Sequence, residues 1–350
     1  MQIAEITRFL ETLAPPSLQE NYDNAGLITG SQSWECTGII VSLDATEEVI
    51  LEARGKGFNM VVSHHPIIFN GLKKITGKTY VEKAIIASIK HDVAIYAIHT
   101  NLDNVLEGVN GKMAEKLGLT NCRILQPKNA LLKKLFTFVP LDYAEAVRSA
   151  IFQAGGGHIG NYSECSFNGS GTGTFKAAEG TNPYVGEIGK RHKEDEMKIE
   201  VIFPGWLETS IITALKQNHP YEEVAFDIVS LENQYQGIGS GMIGELPEAV
   251  SEPEFLKLLQ GQFGLQVIRH TPFLQKKVHK VAICGGAGSF LIKAALAAGA
   301  DAYVTGDVKY HEFFDAENKM LLADIGHWES EQFTIDLLAD YSIVRTCILL

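Results

Sequence analysis

The chain has few cysteines, no excess of positive charge and no long apolar run. Its five cysteines (Cys36, Cys122, Cys165, Cys284 and Cys347) are odd in number and show no CxxC spacing among 350 residues. That argues against a disulfide framework and for buried thiols in a reducing compartment. No apolar stretch reaches the roughly 18 residues of a membrane span, and Phe290–Val304 is interrupted by Lys293 and Asp301. The start carries Glu5 and Glu11 and has no basic end leading into an apolar segment, so it does not read as a signal peptide. Lys and Arg number 30 against 42 Asp and Glu, a net charge of −12. Non-specific nucleic-acid binding needs clustered cations and is not expected. A cytoplasmic protein without membrane contact is the expectation.

Apolar residues make up 45% and charged residues 21%, ordinary for a globular protein. The length suggests two or three domains. In the first third, strands at Gly38–Ser42, Phe58–Ser63 and Val93–Ile98 alternate with helices at Ala45–Lys56 and Tyr80–His91. That alternation predicts βαβ units and a largely parallel sheet. The last third repeats the style, with strands at Val278–Cys284, Ala302–Thr305 and Leu321–Ile325. The two thirds resemble loose copies of one another. Between them the order is β-α-β-β-α-β, with strands at Leu135–Val139 and Met197–Phe203 and a hairpin near His158–Gly173. That order predicts a ferredoxin-like insert. The expected division is a core half over 1–127, an insert over 128–233 and a second core half over 234–350. Glu187–Glu196 reads as a solvated charged loop, and Gly237–Gly244 as a linker or a lip over a site. Gly285–Ser289 reads as a tight turn more than an anion-holding loop.

Ligands of α/β sheets gather beyond the carboxyl ends of the strands. Five of the eleven histidines fall in clusters at those ends: His64, His65, His99, His311 and His327. Adjacent residues such as His64 and His65 point different ways, so two ions suit them better than one. His327 and Glu331 share a helix face at i, i+4. Asp103 adds a second carboxylate. Three imidazoles and two carboxylates exceed the three protein ligands of a catalytic zinc and suit a two-metal site. Two divalent ions against two carboxylates leave a formal charge of about +2, which favours an anionic substrate.

The strings SHHPIIF (Ser63–Phe69), HTNLDN (His99–Asn104), TGDVKYHE (Thr305–Glu312), GHWESE (Gly326–Glu331) and NYDNAGL (Asn21–Leu27) resemble the signatures of the NIF-three-like family. Its members are also labelled GTP cyclohydrolase I type 2 homologues. The resemblance covers roughly residues 1–125 and 236–350. It implies a dinuclear metal centre with His64, His65, Asp103, His327 and Glu331 as ligands, and a toroidal homohexamer of two trimers. The middle segment, with His219-Pro220-Tyr221-Glu222-Glu223, resembles the PII-like insert of longer bacterial members, which is expected to trimerise and cap the ring.

The expected protein is therefore an α/β chain whose two related halves form one metal-binding core, carrying an inserted ferredoxin-like α+β domain. Its expected cofactors are two divalent transition-metal ions, zinc first and iron or manganese next. The leading function is metal-dependent hydrolysis of a small anionic, nucleotide-like or phosphate substrate, with His99 or His311 moving protons. The rival is a non-catalytic, regulatory metal- or ligand-binding protein.

Overall fold

The computed structural model describes residues 1–346; Cys347 lies outside the described residues. The chain forms two compact units, one made of Met1–Pro127 with the segment from Gln236 onward, the other of Lys128–Tyr235.

The first unit opens with helix α1 (Ile3–Leu13). Strands β1 (Gly26–Thr29), β2 (Ile39–Ser42), β3 (Met60–Ser63) and β4 (Ala94–Ala97) follow, with helices α2 (Glu47–Gly55) and α3 (Tyr80–Lys90) between the last three. Thr46 and Thr79 cap the two helices through their side chains. The sheet order is β1-β4-β3-β2, with β2, β3 and β4 parallel and β1 antiparallel at one edge. All four residues of β3 and of β4 are buried, as expected for strands covered on both faces. Helix α4 (Thr100–Asp103), helix α5 (Val109–Leu117) and strand β5 (Thr120–Lys128) complete this half.

The second unit runs β6 (Leu132–Pro140), α6 (Ala144–Gln153), β7 (Phe167–Lys176), β8 (Arg191–Pro204), α7 (Glu208–Asn218) and β9 (Phe226–Ser230). Its antiparallel sheet has the order β7-β8-β6-β9. Leu135, Val147, Ile199, Phe203, Ile211 and Leu215 pack between the sheet and both helices. Each such side chain contributes about 1.5–3 kcal/mol through burial. Two expectations are corrected here. The charged run Glu187–Glu196 is not wholly a loop, because Arg191–Glu196 is the first half of β8. There it pairs residue for residue with β7, from Lys176↔Arg191 to Gly171↔Glu196. The hairpin partner of β7 is thus β8, and His158–Gly173 holds only a short Ile159↔Tyr162 bridge and the start of β7.

Returning to the first unit, the chain forms β10 (Tyr235–Ser251), α8 (Glu252–Phe263), β11 (Arg269–His270), β12 (Lys277–Ala287), α9 (Ile292–Ala297), β13 (Ala302–Gly306), β14 (Leu321–Asp324), α10 (His327–Glu331) and α11 (Thr334–Thr346). The sheet order is β11-β14-β13-β12-β10-β5. Strands β12, β13 and β14 are parallel, and β11 is antiparallel to β14. Gly237–Gly244 is neither linker nor lip. It is strand: Met242, Ile243 and Gly244 pair with Ile283, Ala282 and Val281. Glycine suits it because a Cβ on Gly239 would lie 2.2 Å from the Gln126 carbonyl oxygen. No described helix is long and apolar enough to cross a membrane.

Candidate metal centre

His64 and His65 continue β3 alongside the end of β2, their N–H groups donating to the carbonyls of Ser42 and Leu43. His99 follows β4, where the Ile98 N–H donates to the Ser63 carbonyl. His327 and Glu331 share one face of α10, directly after β14. The turn before α10 is held by Asp324, whose carboxylate accepts from Gly326 N and Val308 N and pairs with Arg269. The carboxyl ends of parallel strands in both sheets therefore supply the cluster.

Each imidazole is oriented by its Nδ1. The Nδ1 of His64 lies 2.8 Å from the Ile98 carbonyl oxygen. That of His65 lies 3.0 Å from Asp44 Oδ1, and that of His327 lies 2.8 Å from Asp307 Oδ2. These acceptors call for a hydrogen on Nδ1, which leaves the Nε2 lone pair for the cluster. Three Nε2 atoms converge on Glu331, which is 3% exposed: His65 at 3.0 Å, His327 at 3.2 Å and His64 at 3.8 Å. The Nε2 atoms of His65 and His327 stand 3.3 Å apart. His64 Nε2 and Asp103 Oδ1 are 3.6 Å apart, and both are buried without a hydrogen-bond partner.

Buried polar atoms without partners are rare and call for an explanation. A metal ion supplies one. Two donors on a tetrahedral ion at about 2.1 Å are about 3.4 Å apart, close to the 3.3 Å and 3.6 Å observed. The residues thus fit a metal, and two groups of donors could each hold an ion: His64, His65 and His99, and His65, His327 and Glu331. The electrostatics agree. Burial lowers the affinity of the His65 ring for a proton, but the carboxylates of Asp44 and Glu331 outweigh it and raise the pKa to about 10. Glu331 raises that of His327 to about 9, against a smaller loss from burial. Burial raises the pKa of Asp103. Burial pushes Glu331 the same way, yet hydrogen bonds from the histidines hold it well below the usual carboxylate range. A field that holds protons on imidazoles also attracts a cation in their place.

Glycine is required beside Glu331. Gly286 has φ +62°, and a Cβ there would lie 2.4 Å from Glu331 Oε1. Three N–H groups of the turn around it are taken up inside the protein, Gly285 by Asn110 Oδ1, Gly286 by Ser330 Oγ and Gly288 by Thr305 Oγ1, as suits a tight turn.

His99 lies against the cluster, its ring edge-on to those of His64, His65 and Phe69. Its Nδ1 is 2.8 Å from Asp23 Oδ1, and Asp23 also accepts from Thr100 N and Oγ1. His311 is not brought to the cluster. It is exposed, and its ring contacts are Tyr310 and Phe314. His219 is a structural residue of the second unit, its Nε2 donating to the Phe138 carbonyl and its Nδ1 accepting from Tyr221 N. Sequence reasoning missed Asp23 and Asp44 as partners of the histidines. Asp23 lies within the NYDNAGL string, whereas nothing in the spacing marks Asp44. The thiol of Cys284 is buried near Asp103 and Glu331, and burial pushes its pKa up.

A family model described as Duf34/NIF3 (NGG1p interacting factor 3) matches residues 1–342. A protein of Halalkalibacterium halodurans named GTP cyclohydrolase 1 type 2 homolog is 41% identical over 324 residues, 92% of this chain and 87% of its own. A Bacillus subtilis protein of the same name is 38% identical over 326 residues, 93% of this chain and 87% of its own. The crystal structure of a Bacillus cereus protein related to NIF3 superposes with a TM-score of 0.87 at 38% identity, covering 99% of this chain and 94% of that one.

Proposed function

Because the chain belongs to the Duf34/NIF3 family, we propose that it holds two divalent transition-metal ions, zinc first, and hydrolyses a small anionic substrate of nucleotide or phosphate type. The observation that carries this reading is the convergence of three Nε2 atoms on Glu331, with the unpartnered Asp103 Oδ1 beside that of His64. His64, His65, Asp103, His327 and Glu331 would hold the ions. Such a pair supplies Lewis acidity, stabilising negative charge that develops on a substrate oxygen. Asp23, whose side chain is fully buried, reduces the formal charge of the loaded site from about +2 to about +1. Asp44 and Asp307 are more than half exposed and screened by solvent. The balance still favours an anion. The protein's own proton carrier in this reading is His99, held by Asp23 at Nδ1, with Asp103 taking its place as a ligand beside His64 and His65. The exposed His311 has no support for that role.

The finer architecture belongs to the same proposal. Both sheets of the first unit repeat one pattern, three parallel strands with an antiparallel edge strand, which supports two related halves. The order β-α-β-β-α-β of the second unit supports a ferredoxin-like, PII-like insert. A homohexamer of two trimers in the cytoplasm completes the reading. The helix-free face of the insert sheet carries an open cleft of about 900 Å3 between Phe167, Phe175, Tyr184 and Tyr221, a surface that self-association would cover. Native mass spectrometry tests the assembly; a monomer would remove it.

The test of function is turnover of a panel of nucleotides and phosphate esters by the metal-loaded protein, beside Glu331→Ala and His99→Ala. Hydrolysis lost in both variants supports the proposal. No turnover of any substrate by a fully loaded protein favours the non-catalytic, regulatory alternative.

A further inference from the structure

The two carboxylates of the cluster reach it beyond different sheets, Asp103 from the short helix α4 after β4 and Glu331 from helix α10 after β14. Their separation must be held by something other than either sheet's own ladder. One buried side chain spans the gap. Asn110, 1% exposed, donates from Nδ2 to the backbone carbonyl of Asp103 at 3.0 Å and accepts at Oδ1 from Gly285 N, also at 3.0 Å. The next residue, Gly286, donates to Ser330 Oγ at 2.9 Å, and that hydroxyl donates to the His327 carbonyl at 2.7 Å. Gly286 also lies against Glu331, where a Cβ would stand 2.4 Å from Oε1. An unbroken hydrogen-bonded path therefore runs from the backbone of Asp103 through Asn110, Gly285, Gly286 and Ser330 to the backbone of His327.

We propose that Asn110, with Ser330, is a positioning strut that sets the distance between the Asp103 side and the His327/Glu331 side of the site, and so decides whether two ions are held together. This rests on the two-ion reading given above. Neither residue has an atom in the cluster, so the role is to hold the ligands and not to bind the metal. An amide suits the task. It offers one donor and one acceptor in a fixed plane, and each is matched to a single backbone group. Within a buried site a displacement of even a few tenths of an ångström is resisted by close packing on all sides, so loss of the strut acts on the looser, Asp103 side. Among the described residues Asp103 is paired with His64 Nε2 alone, whereas Glu331 is held by three histidines.

The experiment is manganese loading of the wild type, Asn110→Ala and Ser330→Ala, read by metal content and by electron paramagnetic resonance. Two Mn2+ ions about 4 Å apart give an exchange-coupled spectrum, and a lone ion does not. The expected result is about two coupled ions per chain in the wild type and about one uncoupled ion in Asn110→Ala. Ser330→Ala removes only a hydroxyl, and it decides the matter if Asn110→Ala does not fold; it should show the same loss of coupling. Two coupled ions in every folded variant, with only the melting temperature lowered, would overturn the strut and leave the two-ion reading intact. No coupled pair in the wild type would overturn the two-ion reading and the strut with it.

Discussion

His65 and His327 follow strands of different sheets, yet their Nε2 atoms face one another across 3.3 Å, each ring held from behind by an aspartate at Nδ1. Two lone pairs aimed at one another at this distance repel unless a cation lies between them or one ring is protonated. The first prediction follows from that arrangement. Protein purified without added metal should carry about two ions per chain, and His65→Ala and Glu331→Ala should lose them. Elemental analysis decides it. A wild type that stays empty after reconstitution with zinc, iron and manganese would end the metal reading.

Loading should release protons. In the ion-free protein His65 has its pKa raised to about 10 and His327 to about 9, so both rings are charged at pH 7.5 and must lose a proton to bind metal. Roughly two protons per chain should appear on zinc addition at that pH, and apparent affinity should rise as the pH increases toward 9. Calorimetry in buffers of different ionisation enthalpy measures the number. An affinity independent of pH between 6 and 9 would contradict it.

Asp23 should set part of the acid limb of stability. Burial raises its pKa, but hydrogen bonds from His99 and Thr100 outweigh that and lower it to about 2. A carboxylate depressed in the folded state stabilises above its unfolded pKa, near 4, and the gain is lost as pH falls through the folded value. The loss is about 2 kcal/mol between pH 4 and pH 2. Asp23→Asn should flatten the denaturation midpoint across that window, as measured by urea unfolding. An unchanged pH profile in the variant would assign the contribution elsewhere.

Gly286→Ala should cost the site more than the fold. The positive φ alone costs about 1 kcal/mol for a residue with a Cβ, and the added carbon meets Glu331 Oε1. We expect zinc affinity to fall by more than tenfold, about 1.4 kcal/mol, in a protein that still folds. Competition with a chromogenic chelator gives the value.

Damage to the insert core should leave the metal untouched. Leu135 is fully buried in the second unit, and Leu135→Ala should cost that unit about 3 kcal/mol by transfer and cavity terms. All five candidate ligands lie in the first unit. Metal content should therefore stay at the wild-type level, and a fall in a still-folded variant would count against the assignment.

What could be read from the chain was local. Alternating apolar runs and helical spacing placed the parallel strands to within two residues in β2, β3 and β4. The His327/Glu331 pair was visible because i, i+4 is a property of one helix. Errors arose where a partner far along the chain decided the outcome. Arg191–Glu196 is strand because β7 lies beside it, although its charges suggested a loop. Gly237–Gly244 is strand because β12 pairs with it and a close neighbour leaves room only for glycine at Gly239.

The same division holds at the site. The sequence by itself determined which residue types stand at the strand ends, since imidazole and carboxylate chemistry belongs to each residue alone. Tertiary structure alone decided that His65 meets His327 across 262 positions of chain, that Asp23, Asp44 and Asp307 turn the rings, and that His311 stays outside. The reason is geometric: a ligand atom is useful only within a few tenths of an ångström of its place. That precision comes from the strand ends of two sheets that supply one cluster and from buried links such as Asn110, which spacing along the chain does not encode.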